Sequence, residues 1–311
     1  MNRFLIISLT LLCFIICSAY FYTPTVYSKT SLGKKLFFDT ILSKDYTISC
    51  ASCHKPAFAF ADTAALSTGI YGKLTSRNTP SVLNMKSRPY FFWDGRAASL
   101  ATQALMPISH PNEMGLPIKE AVQRLNNNSQ YRNLFYKVFK QPPNATNLSN
   151  ALQAYEQSLE TSGSKMDESF DDTTLLSATE ERGRKLFVGD KAKCFDCHFT
   201  PDYTGDEFRN IGLFNGSTLT DKGRYEVTKN KGDIGKFKTP GLRNIALTAP
   251  YMHNGMFATL EAVVDYYNDP KKFVPNPINV DTLLAKPLGL TQQEKSDLVA
   301  FLKTLTDKPI K

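Results

Sequence analysis

Cys50-Ala-Ser-Cys53-His54 and Cys194-Phe-Asp-Cys197-His198 decide the reading of this 311-residue chain. Each is a Cys-x-x-Cys-His motif, the pattern of covalent c-type haem attachment. Two thiols add to the vinyl groups of one haem, and the adjacent histidine is then held beneath the iron as its proximal ligand. The rival reading is zinc, with four cysteines closing one tetrahedral site. Structural zinc pairs lie within roughly 15–20 residues of each other, whereas these motifs stand about 140 residues apart, and only one of the two histidines would be accommodated. A thioredoxin-like redox pair fails because no βαβ pattern surrounds either motif. The sequence therefore expects two haem c groups, one on Cys50, Cys53 and His54 and one on Cys194, Cys197 and His198.

The flanking residues repeat, and repetition over a long period is evidence of duplication. Gly33-Lys-Lys-Leu-Phe37 precedes the first motif and Gly183-Arg-Lys-Leu-Phe187 the second. Downstream, Thr79-Pro80 leads through Pro89-Tyr90 to Trp93-Asp94-Gly95 and Leu100. Thr239-Pro240 leads likewise through Pro250-Tyr251 to His253-Asn254-Gly255 and Leu260. Threonine to glycine is 16 residues in both copies, and glycine to leucine is five. An all-α fold of two cytochrome c-like haem domains with long loops follows. Residues 29–165 form the first and 166–311 the second, joined in the polar stretch Thr161 to Thr174. Leu148, Leu152, Tyr155 and Leu159 share one helical face. Thr291 to Glu294 and Ser177 to Glu180 read as capping boxes, the first opening a helix with Leu298, Phe301, Leu302 and Leu305 inward.

The two copies differ at one telling place. Tyr267 lies 12 residues after Gly255, and the same offset from Gly95 lands on Pro107. Tyrosine can ligate haem iron, whereas proline has no donor atom. If both segments pass over their haems alike, the second iron is closed and the first is left to react. The bland alternative is that the Tyr267 ring simply fills space.

Residues 1–28 stand apart as a signal peptide or N-terminal anchor with a short linker. Arg3 precedes the apolar run Phe4 to Ile16, and Cys17-Ser18-Ala19 offers small residues for cleavage. Extended to Tyr22, the run is just long enough to span a bilayer uncleaved. Export to the periplasm suits covalent haem attachment. Outside this segment only the four motif cysteines remain, leaving none for disulfides. The formal charge of +8 is spread along the chain without a run dense enough for a nucleic-acid patch.

At these residues the chain resembles the bacterial di-haem cytochrome c peroxidases and MauG-type enzymes. The likeness runs from about Ser31 to Thr306, through Leu36-Phe-Phe-Asp39, the first haem site, Arg77-Asn78-Thr79-Pro80 and Phe92-Trp93-Asp94-Gly95-Arg96. It continues through Gln103, Pro107, Glu113-Met114-Gly115, the second haem site and Pro250-Tyr-Met-His253-Asn-Gly255. The resemblance implies that the haem on His54 is peroxidatic and that the haem on His198 supplies or stores electrons. It implies Glu113 as the distal acid–base, Gln103 beside it, Trp93 between the haems, and Asn78, Thr248 and Pro250 around an inter-haem calcium ion. Many family members also hold a distal histidine where this chain has Ile70, so reductive activation is not expected. Typical peroxidases close the second haem with methionine, and Tyr267 there is similar to the MauG-type enzymes. Met114 is a rival ligand beside the first haem, while His110 and His253 read as hydrogen-bonded or packed residues.

The activity so implied is reduction of hydrogen peroxide, with electrons from a small redox protein or an oxidisable protein substrate. The alternatives are a MauG-type protein-oxidising enzyme and a non-catalytic electron carrier. Family members are often homodimers, and no residue in the sequence marks an interface.

Overall fold

A computed structural model of the chain describes residues 27–308. The segment read as a signal or anchor lies outside the described residues. Among those that are described, no helix is long and apolar enough to cross a membrane.

Among the described residues, eight helices of nine or more residues carry the fold: α1 (Lys29–Phe38), α2 (Leu100–Ser109), α3 (Ile118–Asn127), α4 (Ser129–Phe139), α5 (Ala145–Glu156), α6 (Ala178–Val188), α7 (Leu260–Asn268) and α8 (Gln292–Lys303). Between them run long loops, short helical turns and one antiparallel ribbon, β1 (Phe208–Arg209) with β2 (Phe237–Lys238). Both expected capping boxes form, Ser177 with Glu180 opening α6 and Thr291 with Glu294 opening α8. Each satisfies amides that the first helical turn leaves without partners. Leu148, Leu152 and Tyr155 are buried along α5, and Leu159 is buried just beyond its end.

The repeated Gly-x-Lys-Leu-Phe segments form α1 and α6, and each crosses the last long helix of its own half. A Cβ on Gly33 would stand 1.9 Å from the Ala151 carbonyl oxygen of α5, and one on Gly183 would stand 1.9 Å from the Asp297 carbonyl oxygen of α8. Only glycine permits so close an approach. Next to each crossing an aromatic pair closes the contact, Phe37 with Tyr155 at 5.1 Å and Phe187 with Phe301 at 5.0 Å between ring centroids. One core gathers around Leu36, Phe37, Leu148 and Leu152. A second gathers around Phe187, Leu298, Phe301 and Leu305.

The halves meet along a seam that obeys the same duplication. The Asn78 amide donates to the His253 carbonyl at 2.7 Å, and the Lys238 amide donates to the Trp93 carbonyl at 2.7 Å. Asn78 and Lys238 are equivalent in the repeat, as are Trp93 and His253, so one bond is the other with the halves exchanged. The turn glycines repeat this exchange. A Cβ on Gly95 would meet Phe208 of the second half, and one on Gly255 would meet Ala65 of the first; both have positive φ. Ion pairs reinforce the contact. Arg77 holds Asp94 at 2.6 Å and Asp221, across the seam, at 2.7 Å, while Arg88 reaches Asp202 and Asp206.

Candidate active site

The first haem motif folds as one short helical turn, Cys50–Cys53, and the second as a hydrogen-bonded turn, and both bring their thiols and imidazole to one cavity. The His54 amide donates to the Cys50 carbonyl and the His198 amide to the Cys194 carbonyl, both at 2.9 Å. Each imidazole then turns its Nδ1 to a backbone carbonyl, His54 to Phe60 at 3.0 Å and His198 to Tyr203 at 2.9 Å. A carbonyl only accepts, so Nδ1 carries the proton and Nε2 keeps its lone pair free for a metal. Burial holds both imidazoles below their ordinary pKa and so favours this neutral form.

None of the four motif cysteines is paired in a disulfide. Burial raises all four, with the neighbouring thiol of Cys197 adding to the effect at Cys194, which is pushed up to about 12. Among the described residues no group of three or more His, Cys, Asp or Glu side chains gathers as a metal centre. Instead both thiol pairs and both imidazoles line a cavity of about 430 Å³ with walls from both halves, including Leu83, Leu152, Val264 and Leu302. An apolar chamber with two thiols and one neutral imidazole from each half fits a pair of haem c groups.

Helix α2 brings Gln103 and Pro107 to the cavity wall together, four residues apart on one helical face. The loop after it supplies Glu113, which also lines the cavity. That loop is pinned from the chain's own backbone: the Glu113 amide donates to the His110 carbonyl at 3.0 Å and the Ile70 amide to the Glu113 carbonyl at 2.9 Å. Burial raises the Glu113 carboxyl, against opposition from His110 and Arg96; His110 Nδ1 lies 3.4 Å from Glu113 Oε1. The charge of Glu113 in turn raises Cys50 and Cys53, which associates it with the first motif. Ile70 is buried, and its Cδ1 occupies the space a Cβ on Gly115 would need. Met114 is buried in the first core and lines the cavity.

In the second half α7 starts at the equivalent leucine, Leu260, under a Thr259 cap that matches Ser99 ahead of Leu100. Tyr267 is thereby delivered to the cavity at the helical position that Pro107 holds in α2. Burial, then the Cys197 and Cys194 thiols, raise its phenol. The phenol thus stands beside the second motif and keeps its proton unless a metal displaces it.

Trp93 lies at the seam and donates its indole N–H to the Asn78 carbonyl at 2.8 Å. His253 stacks on Phe237 with ring centroids 3.7 Å apart, and burial pushes it down to about 4, so it is neutral. Asn78, Thr248 and Pro250 all reach the cavity wall. The Asn78 side-chain amide donates to the Ala64 and Ala65 carbonyls, which leaves its carbonyl oxygen directed elsewhere. Two residues escaped the sequence reading. Lys238 is a nearly buried cation in β2 whose nearest carboxylate is Asp206 at 3.6 Å. Glu156 follows Leu152 by one helical turn on the face that enters the cavity, and that spacing was the signal available for it.

Comparison with known proteins agrees with this geometry. Residues 27–174 match the family model described as di-haem cytochrome c peroxidase, and residues 180–306 match the cytochrome c model. The chain is 37% identical over 289 residues to the methylamine utilization protein MauG of Methylorubrum extorquens, covering 92% of this chain and 80% of that protein. It is 37% identical over 292 residues to the cytochrome c551 peroxidase of Nitrosomonas europaea, covering 92% and 83%. Its fold superposes on the crystal structure of a MauG-like protein associated with microbial copper homeostasis with a TM-score of 0.82 at 34% identity, covering 92% of this chain and 91% of that one. The all-α duplication, the two haem motifs and these matches together assign the chain to the di-haem cytochrome c peroxidase and MauG family, a family of haem c oxidoreductases that it joins over nearly its whole described length.

Proposed function

We propose that the chain is an exported di-haem peroxidase that reduces hydrogen peroxide on the His54 side of the cavity. The observation that carries this is the asymmetry between the equivalent helices α2 and α7. The first presents Pro107 and Gln103, with Glu113 close by, and the second presents Tyr267. Bound haem c supplies iron that exchanges electrons with peroxide.

The protein's own groups handle the protons. Glu113 removes a proton from the inner oxygen of hydrogen peroxide and returns it to the outer one, which leaves as water. Two electrons and two further protons complete the conversion to a second water. Gln103 holds the peroxide by hydrogen bonding during this transfer. A raised carboxyl suits the task, because a group poised nearer the working pH gives up and takes back its proton readily. Trp93 bridges the two haem sites as the electron relay. Asn78, Thr248 and Pro250 present oxygen donors of the kind that suits calcium, and we assign the inter-haem ion to them. The electron donor is a small redox protein or an oxidisable protein. Tyr267 favours the second, because its phenolate, if it held the iron of a haem on His198, would stabilise the oxidised states of that haem and make it a poor port for incoming electrons.

The test is ferric spectroscopy followed by peroxide turnover. One high-spin and one low-spin haem supports the reading, whereas two low-spin haems would indicate an electron carrier. Glu113→Gln is expected to retain both haems and lose about 10²–10⁴-fold in turnover; turnover at the wild-type rate would remove Glu113 from the mechanism.

A further inference from the structure

Glu156 is the last residue of α5 and a buried acid that the mechanism above does not use. It is 5% exposed, its Oε2 has no hydrogen-bond partner, and it lines the haem cavity one helical turn beyond Leu152. Its charge bears on Cys50, across from it, and on Tyr155 beside it in α5. It is not among the groups that shift His54. No Lys or Arg among the described residues offsets its burial, which pushes the carboxyl up to about 8. Its place at the helix C-terminus adds to this, because the negative end of the helix dipole disfavours a carboxylate.

The duplication shows what the second half does with the same position. The matched crossings pair Gly33 with Gly183, Ala151 with Asp297 and Tyr155 with Phe301, so Glu156 pairs with Leu302, which is buried and lines the same cavity. At this matched position, therefore, the first haem site carries a carboxyl and the second an aliphatic side chain.

We infer that Glu156 is a proton-exchanging group that makes the reduction potential of the haem on Cys50 and Cys53 depend on pH, while the haem on Cys194 and Cys197 lacks this link. This rests on the reading of Cys50 to His54 as the first haem site. An electron added to that haem disfavours a nearby negative charge and raises the affinity of Glu156 for its proton. Reduction of one haem by one electron is then accompanied by uptake of one proton from solvent. Between the carboxyl's pKa with the haem oxidised and its higher pKa with the haem reduced, the potential falls as pH rises. Outside that window it is flat.

The experiment is a spectroscopic redox titration of both haems in the full di-haem protein from pH 6 to 10. It compares the wild type with Glu156→Gln and with Glu156→Leu, the residue of the twin half. In the wild type, the reduction equilibrium of the first haem is expected to change by up to tenfold per pH unit in a window around 8, about 59 mV for one electron. This slope is lost in both variants, and the second haem behaves alike in all three proteins. If Glu156→Gln fails to retain haem, Glu156→Leu still supplies the comparison. A slope that survives either substitution, or is missing from the wild type, overturns the inference. Peroxide turnover is measured separately: a protein with the slope but no turnover sinks the peroxidase reading alone, and one with turnover but no slope sinks Glu156 alone.

Discussion

At the scale of single residues, the chemistry is set by which groups can exchange protons inside an apolar chamber. Glu113 is raised by burial, so its conversion to the base form occurs above the ordinary carboxyl range. Turnover is expected to fall on its acid side at a pH above the usual 4.5, and this limb is expected to vanish in Glu113→Gln; a pH–rate profile of the two proteins decides. Tyr267 makes a separate prediction. Methionine raises the potential of a His-ligated haem, so Tyr267→Met is expected to raise the potential of the second haem and leave the first unchanged. A potentiometric titration that finds no change would mean that the phenol is packing only. Much at this scale could be read directly: the haem motifs declare themselves, and Tyr267 emerged from comparing one copy with the other. Glu156 did not, because a single carboxylate on an otherwise apolar helical face resembles a solvated surface residue until the fold shows the face is buried.

At the scale of helices, the fold depends on two glycine crossings. Gly183→Ala would place a methyl group against the α8 backbone, where neither partner can yield as a flexible side chain could. Separating α6 from α8 is expected to cost about 1–3 kcal/mol, visible as a lower melting temperature of the holoprotein, and Gly33→Ala is expected to do the same to α1 and α5. An unchanged melting temperature in both would mean the helices are not held at that distance. The helix starts were legible, since Ser177 to Glu180 and Thr291 to Glu294 carry their caps in the local sequence. The ribbon of β1 with β2 was not, because two-residue strands are too short for alternation to register. The stretch Thr161 to Thr174 also exceeds its reading as a connector. It contains a capped turn at Lys165–Glu168, and the Thr161 hydroxyl donates to Asp307 at 2.6 Å.

At the scale of the whole molecule, the two halves behave as one body because the seam is bonded and charged. Burial alone would raise Asp221, but the Arg77 guanidinium outweighs it and holds the carboxylate below its ordinary value. A depressed carboxylate stabilises the fold above the unfolded pKa of 3.8 and loses that contribution as pH falls through its lower folded value. Arg77→Ala, which leaves Asp221 without its guanidinium and the largely buried Asp94 with Arg96 alone, is expected to cost about 3 kcal/mol near neutral pH. Denaturant unfolding is expected to show a wild-type advantage that shrinks below about pH 4. An advantage that stays constant down to strong acid would remove the pair from the seam. None of this was visible in the chain, where Arg77 and Asp221 stand 144 residues apart.

The exchanged pair of backbone bonds, Asn78 to His253 and Lys238 to Trp93, has a kinetic consequence. Both join the same two lobes at their centre, and one cannot lengthen by sliding without straining its mirror image. A tunnelling gap between haems held in the two lobes would thus be clamped, and hops across it are expected to be indifferent to solvent viscosity. Thickening the medium with glycerol would then slow only the arrival of peroxide and the encounter with the reductant.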